Sequence, residues 1–144
     1  MPQTFRQFLD SYLEIWRTCS FEEMKALISK DYQAREVTQN GIADYGYSES
    51  LEGWAQGFNF VKSKEAKWDV TEIGIVPLGK DECMAILSAT ILLEGQSPLP
   101  ANLFFETFRF KNNGWKHVRS YTETGVPVEQ LKGLSINRIT VMTE

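Results

Sequence analysis

A single carboxyl group set among aromatic rings is the feature of this sequence best suited to chemistry. In the run Asn102 to Glu123, NLFFETFRFKNNGWKHVRSYTE, strand alternation puts Phe104, Glu106, Phe108 and Phe110 on one side. Desolvation by such rings favours the neutral carboxylic acid, which can donate to a developing oxyanion. The alternative keeps Glu106 ionised in a buried ion pair with Arg119 or Arg109. On the returning strand Trp115, His117, Arg119 and Tyr121 share a face that is bulky but polar at its tips, the character of a pocket lining. His117 is either an acid or base near neutral pH or a packed side chain beside Lys116.

Other chemistries find little support. One histidine and two cysteines, Cys19 and Cys83, show no metal-ligand spacing, and both thiols read as structural. No GxSxG element is present, so nucleophilic serine chemistry is not expected. The 15 basic and 19 acidic residues give a net charge of −4 with no basic block, which argues against nucleic acid as a partner. The start MPQTFRQF lacks the basic segment and apolar run of a signal peptide, and no apolar run is long enough to span a bilayer. No membrane contact and a cytoplasmic location are the expectation. No cofactor or metal is called for.

The elements that must position Glu106 follow from periodicity. At 144 residues, 42% of them hydrophobic, the chain suits one domain with a sizeable core. Phe5, Phe8, Leu9, Tyr12, Ile15, Trp16 and Cys19 recur at helical steps from Thr4, a plausible cap. Ser20-Phe21-Glu22-Glu23 opens a second helix, expected to end near Lys30. Asn40-Gly41 joins two short strands, Tyr32 to Val37 and Ile42 to Tyr47. A third helix capped by Ser48 or Ser50 carries Leu51, Trp54, Phe58 and Val61, with Gly53 and Gly57 permitting close packing. Trp68 to Leu78 and Glu82 to Glu94 read as long strands, followed by a loop holding Ser97-Pro98-Leu99-Pro100 and then the hairpin of Glu106, turned at Asn112-Asn113-Gly114. Leu134, Ile136, Ile139 and Val141 punctuate a tail that adds a strand or covers a neighbouring subunit.

This order of elements, with a hairpin ending in GWKHVRSY, resembles the nuclear transport factor 2-like superfamily over roughly Thr4 to Glu123. That group includes ketosteroid isomerase, polyketide cyclases and scytalone dehydratase. The resemblance implies an α+β fold: a cone-like curved antiparallel sheet with about three N-terminal helices on one face, enclosing a pocket. It also places Tyr12 on the isomerase tyrosine, Glu36 of AREV on the general base, and Glu106 of FETFRF on the second acid that shares the oxyanion, a worked case of acid tuning. Both acids are glutamates here, and an extra methylene displaces each carboxylate.

The expectation is therefore a domain over residues 1–125 with a tail, 126–144, that belongs to it or to a dimer contact. Its pocket would be walled by Trp16, Trp54, Phe58, Phe104 and Phe108, with His117, Arg119 and Tyr121 as polar contacts, and would take a small apolar organic ligand. Whether it is an enzyme is left open. In an acid-base isomerase, cyclase or dehydratase, Glu36 would take the proton and Tyr12 and Glu106 would stabilise the enolate. In the bland alternative Glu36 is exposed beside Arg35, Tyr12 is core, and the chain is an interaction module. A homodimer through the sheet face carrying Leu103, Phe105 and Thr107 suits every version.

Overall fold

Helices α1 (Phe5–Arg17), α2 (Phe21–Ala26) and α3 (Tyr47–Ser63) pack on a six-stranded sheet in the order β2-β1-β6-β5-β4-β3. The strands are β1 (Ile28–Thr38), β2 (Gly41–Gly46), β3 (Lys67–Leu78), β4 (Glu82–Leu92), β5 (Ala101–Lys111) and β6 (Gly114–Val126), and a short α4 (Val128–Leu131) follows. The computed structural model of the chain describes residues 3–96, 100–131 and 133. Positions 97–99 of the expected Pro-containing loop, and the tail positions Leu134, Ile136, Ile139 and Val141, lie outside the described residues.

β3 to β6 meander antiparallel, as the turn signals require, and β1 joins them by pairing parallel with β6. The sheet is curved and unclosed, giving the expected α+β architecture with N-terminal helices on one face. At the β5–β6 turn Asn112 and Asn113 take φ of 55° and 62°, the left-handed pair that a two-residue hairpin of the correct twist demands.

α1 is fixed at its start by a reciprocal cap: the Thr4 hydroxyl accepts from Gln7 N–H at 3.1 Å and the Gln7 side chain accepts from Thr4 N–H at 3.0 Å. Its buried stripe is Phe8, Leu9, Tyr12, Leu13 and Trp16. Burying each such side chain is worth about 1.5–3 kcal/mol, so this stripe dominates how α1 docks. Phe8 and Tyr12 meet Phe108 of β5 at 5.2 and 5.0 Å, and Trp16 meets Phe104 at 5.2 Å.

Three local expectations are corrected. Cys19 lies past the end of α1 with φ of 56°, outside the helix. α2 stops at Ala26 because the Leu27 carbonyl accepts from His117 N–H at 2.8 Å, and Ile28 is already buried as a strand residue. α3 starts one residue before Ser48: Glu49 reaches back to accept from Gly46 N–H at 3.0 Å, and neither serine is its cap.

A larger correction concerns β6. Thr107 pairs with Arg119 but Phe108 pairs with His117, so Val118 is an extra, unpaired residue in β6. Such a bulge breaks strict alternation and re-aims every side chain beyond it. His117 therefore points into the core, whereas Arg119 and Tyr121 emerge on the opposite face, and Ser120 and Thr122 turn inward in their place.

Candidate functional site

Glu106 sits on the inner face of β5, opposite Ser120 of β6 and Ala85 of β4, and is only 2% exposed. A buried carboxyl needs partners, and this one has them. The Tyr12 hydroxyl donates to Oε2 at 3.3 Å and the Ser120 hydroxyl donates to Oε1. His117 Nε2 lies 3.3 Å from Oε2 without hydrogen-bond alignment, and among the described residues neither ring nitrogen has a hydrogen-bond partner. The imidazole is held instead by rings: it stacks on Phe108 at 4.8 Å and meets the edges of Tyr32 and Tyr12 at 4.8 and 5.9 Å.

A cavity of about 390 Å³ opens above this cluster between α1, α3 and the sheet. Glu106 and Ser120 are part of its lining, Trp16, Trp54, Trp68 and Phe104 wall it, and Tyr32, Tyr45 and Glu36 line it from the β1–β2 hairpin. The cavity owes its room to α3, which presents Ser50, Gly53 and Gly57 at one-turn spacing along the lining. A methyl group built on Gly53 would touch nothing within 4 Å, so this glycine leaves space open and does not serve the close packing expected of it. At Gly57 the same methyl would come to 3.5 Å from the Trp68 ring, an ordinary contact.

The sequence-selected residues divide into three groups. Trp16, Glu36, Trp54, Phe104 and Glu106 line the cavity. Tyr12, Phe58, Phe108 and His117 are buried in the layer behind it and do not reach its lining, and Tyr12 touches the lining through its hydrogen bond to Glu106 and its edge contact with Trp16 at 6.1 Å. Arg119 and Tyr121 belong to neither. Arg119 pairs with Glu82 at 2.5 Å on the outer face, and the Tyr121 hydroxyl donates to Glu123 at 2.6 Å. The proposed ion pair of Glu106 with Arg119 or Arg109 is thereby replaced: Arg109 also binds Glu82, at 3.1 Å. Those two guanidinium groups, Arg119 foremost, hold the Glu82 carboxyl below its usual range.

Sequence reading missed Tyr32, Tyr45, Glu49, Ser50, Trp68, Asn102 and Ser120. Tyr32 and Tyr45 flank the Asn40-Gly41 turn, and their shared face was readable from the hairpin register that pairs Ala34 with Tyr45. Ser120 was hidden by the bulge. Burial raises the ionisation of Tyr12 and Tyr32 well above the ordinary phenol range, and the charge of Glu106 adds to it. Tyr45 is pushed up to about 12 by burial, then by Glu106 and Glu36.

Among the described residues no group of three or more His, Cys, Asp or Glu could hold a metal ion, and no helix is long and apolar enough to cross a membrane. Two carboxyl groups on one cavity, Glu36 and Glu106, are groups of the kind that transfer protons, and aromatic walls of this kind suit an organic molecule.

No protein-family model and no curated protein matches the sequence. Solved structures do match the fold. A protein of Thiobacillus denitrificans described as a calcium/calmodulin-dependent protein kinase type II association domain superposes with a TM-score of 0.65 at 17% identity, covering 86% of this chain and 97% of that one. An NTF2-like protein with a cystatin-like fold from Novosphingobium aromaticivorans gives 0.63 at 17% identity over 94% and 84% of the two chains. An NTF2-like protein of unknown function from Shewanella oneidensis gives 0.62 at 13% identity over 83% and 95%. The chain has the nuclear transport factor 2-like fold.

Proposed function

We propose that this chain is a small-molecule-binding protein that takes a mostly apolar organic ligand in the cavity between α1, α3 and the sheet. The observation that carries the reading is a 390 Å³ space lined by aromatic rings, with a hydrogen-bonded acid and hydroxyl, Glu106 and Ser120, in its lining. Mostly apolar walls with a few converging polar groups are the usual make-up of a ligand pocket. The polar contacts are Glu36, Glu106 and Ser120, in place of Arg119 and Tyr121.

Gly53→Leu provides the test. A side chain there enters open space and replaces a helical glycine, which by itself favours the helix by up to about 1 kcal/mol. In a thermal-shift screen of small aromatic and alicyclic compounds, wild type is expected to gain stability from hits that leave Gly53→Leu unmoved. Hits that shift both proteins equally bind elsewhere and end the proposal.

An acid-base enzyme is the second reading, favoured by Glu36 and Glu106 lining one cavity. Glu36 would take a proton next to a carbonyl. Turnover of an enolisable ketone that is the same in wild type and Glu36→Gln would remove it. The partner we propose for the outer sheet face is a second copy of the chain. Phe105 and Tyr121 meet there at 6.0 Å beside half-buried Leu103, and sedimentation velocity of Phe105→Lys against wild type tests it.

A further inference from the structure

The cavity lining is one-sided in charge as well as aromatic. Six aromatic side chains, Trp16, Tyr32, Tyr45, Trp54, Trp68 and Phe104, share it with the carboxyl groups of Glu36, Glu49 and Glu106, and among the described residues no Lys, Arg or His side chain lines it. The cations of the vicinity are engaged elsewhere: Arg35 with Asp44 at 2.7 Å, Arg119 with Glu82, and Arg17 with the Val70 carbonyl at 2.8 Å. His117 lies behind Glu106, fully buried.

We infer that the ligand of this cavity is an organic cation, an alkylammonium or quaternary ammonium group held against the indole and phenol faces with the carboxylates as counter-charge. The inference rests on the reading that the cavity binds a small molecule, and adds the chemical class. A desolvated ammonium over aromatic faces is attracted by the ring quadrupoles, most strongly by indole. An anionic ligand would meet Glu36 and Glu106 with no cation among the described lining residues, Glu49 being held by the Gly46 N–H in the α3 cap, and a neutral one would leave those two acids without a counter-charge.

Trp16 adds a constraint on the rest of the ligand. It lines the cavity, is 1% exposed, and its indole N–H has no partner among the described residues. Unpaired buried donors are uncommon, and an acceptor oxygen carried near the ammonium group would satisfy this one. The geometry thus favours an amino alcohol or related ether or ester over a bare alkylamine.

Three near-isosteric probes decide the matter by calorimetry on the full chain: choline, the neutral 3,3-dimethyl-1-butanol and the anionic 3,3-dimethylbutanoate. Choline is expected to bind at least tenfold more tightly than the alcohol, with the anion weakest. Trp54→Leu, which keeps apolar bulk but removes a ring, and Glu36→Gln should each shrink the choline-to-alcohol ratio severalfold, while Gly53→Leu should abolish binding of both. An alcohol or anion that binds as tightly as choline overturns the cation assignment but leaves the cavity a binding site. If no probe binds, the assignment also falls, and the compound screen on wild type against Gly53→Leu then decides separately whether the cavity binds anything.

Discussion

Tyr12 on α1 and Glu106 on β5 are 94 residues apart in sequence, yet the phenol hydroxyl donates to the buried carboxyl at 3.3 Å. This contact ties the first helix to the centre of the sheet and fixes one oxygen of the acid, while Ser120 holds the other. What remains of the carboxyl faces the cavity.

Breaking that tie should be costly but not fatal. Tyr12→Phe keeps the ring packing against Phe108 and removes one hydrogen bond to an acid, so a loss of about 1–3 kcal/mol is expected in urea unfolding. Glu106→Leu combined with Tyr12→Phe should cost less than the sum of the two single changes, because the partners share one network. Full additivity in that cycle would show that the contact carries no coupling.

The buried tyrosines should make the fold sensitive to alkali. Tyr12, Tyr32 and Tyr45 ionise above the ordinary phenol value of about 10 in the folded state, Tyr45 at about 12. Above about pH 10 the unfolded chain therefore binds fewer protons than the folded one, and stability falls as pH rises. Absorbance at 295 nm should report a late group of phenols that ionises together with loss of far-ultraviolet ellipticity. Ionisation of every tyrosine near pH 10 with the fold intact would contradict the burial described.

The Val118 bulge should tolerate both truncation and removal of its residue, at the cost of the packing that Val118 makes. Val118 is 3% exposed, so Val118→Ala should cost about 1–3 kcal/mol through lost packing. Deleting the residue would make Arg119 follow His117 directly, so strict alternation would keep His117 inward and Arg119 outward, with Phe108 still opposite His117 and Thr107 still opposite Arg119. The deletion is expected to fold cooperatively by circular dichroism and thermal melting, with a lower melting temperature from the lost packing of Val118. A deletion variant that does not fold would mean that β6 needs the local twist of the bulge and not only its side-chain alternation.

Much of this protein is written locally. The stripe of α1, the Thr4 cap, the Asn112-Asn113 turn and the alternation of β5 each depend on neighbours within a few residues, so the helices, the meander and the inward aim of Glu106 were legible from residue order. The resemblance to the nuclear transport factor 2-like group named the fold for the same reason: it rests on element order.

Tertiary structure decided the rest. One extra residue in β6 sent Arg119 and Tyr121 to the outer face and brought Ser120 in, a change invisible to period-two counting because a bulge is defined by the partner strand. The parallel pairing of β1 with β6 brought Tyr32 to the edge of His117, joining segments that share no local pattern. The emptiness above Glu106 was not legible either: Gly53 and Gly57 both read as packing contacts in sequence, yet Gly57 meets the Trp68 ring while Gly53 faces open volume.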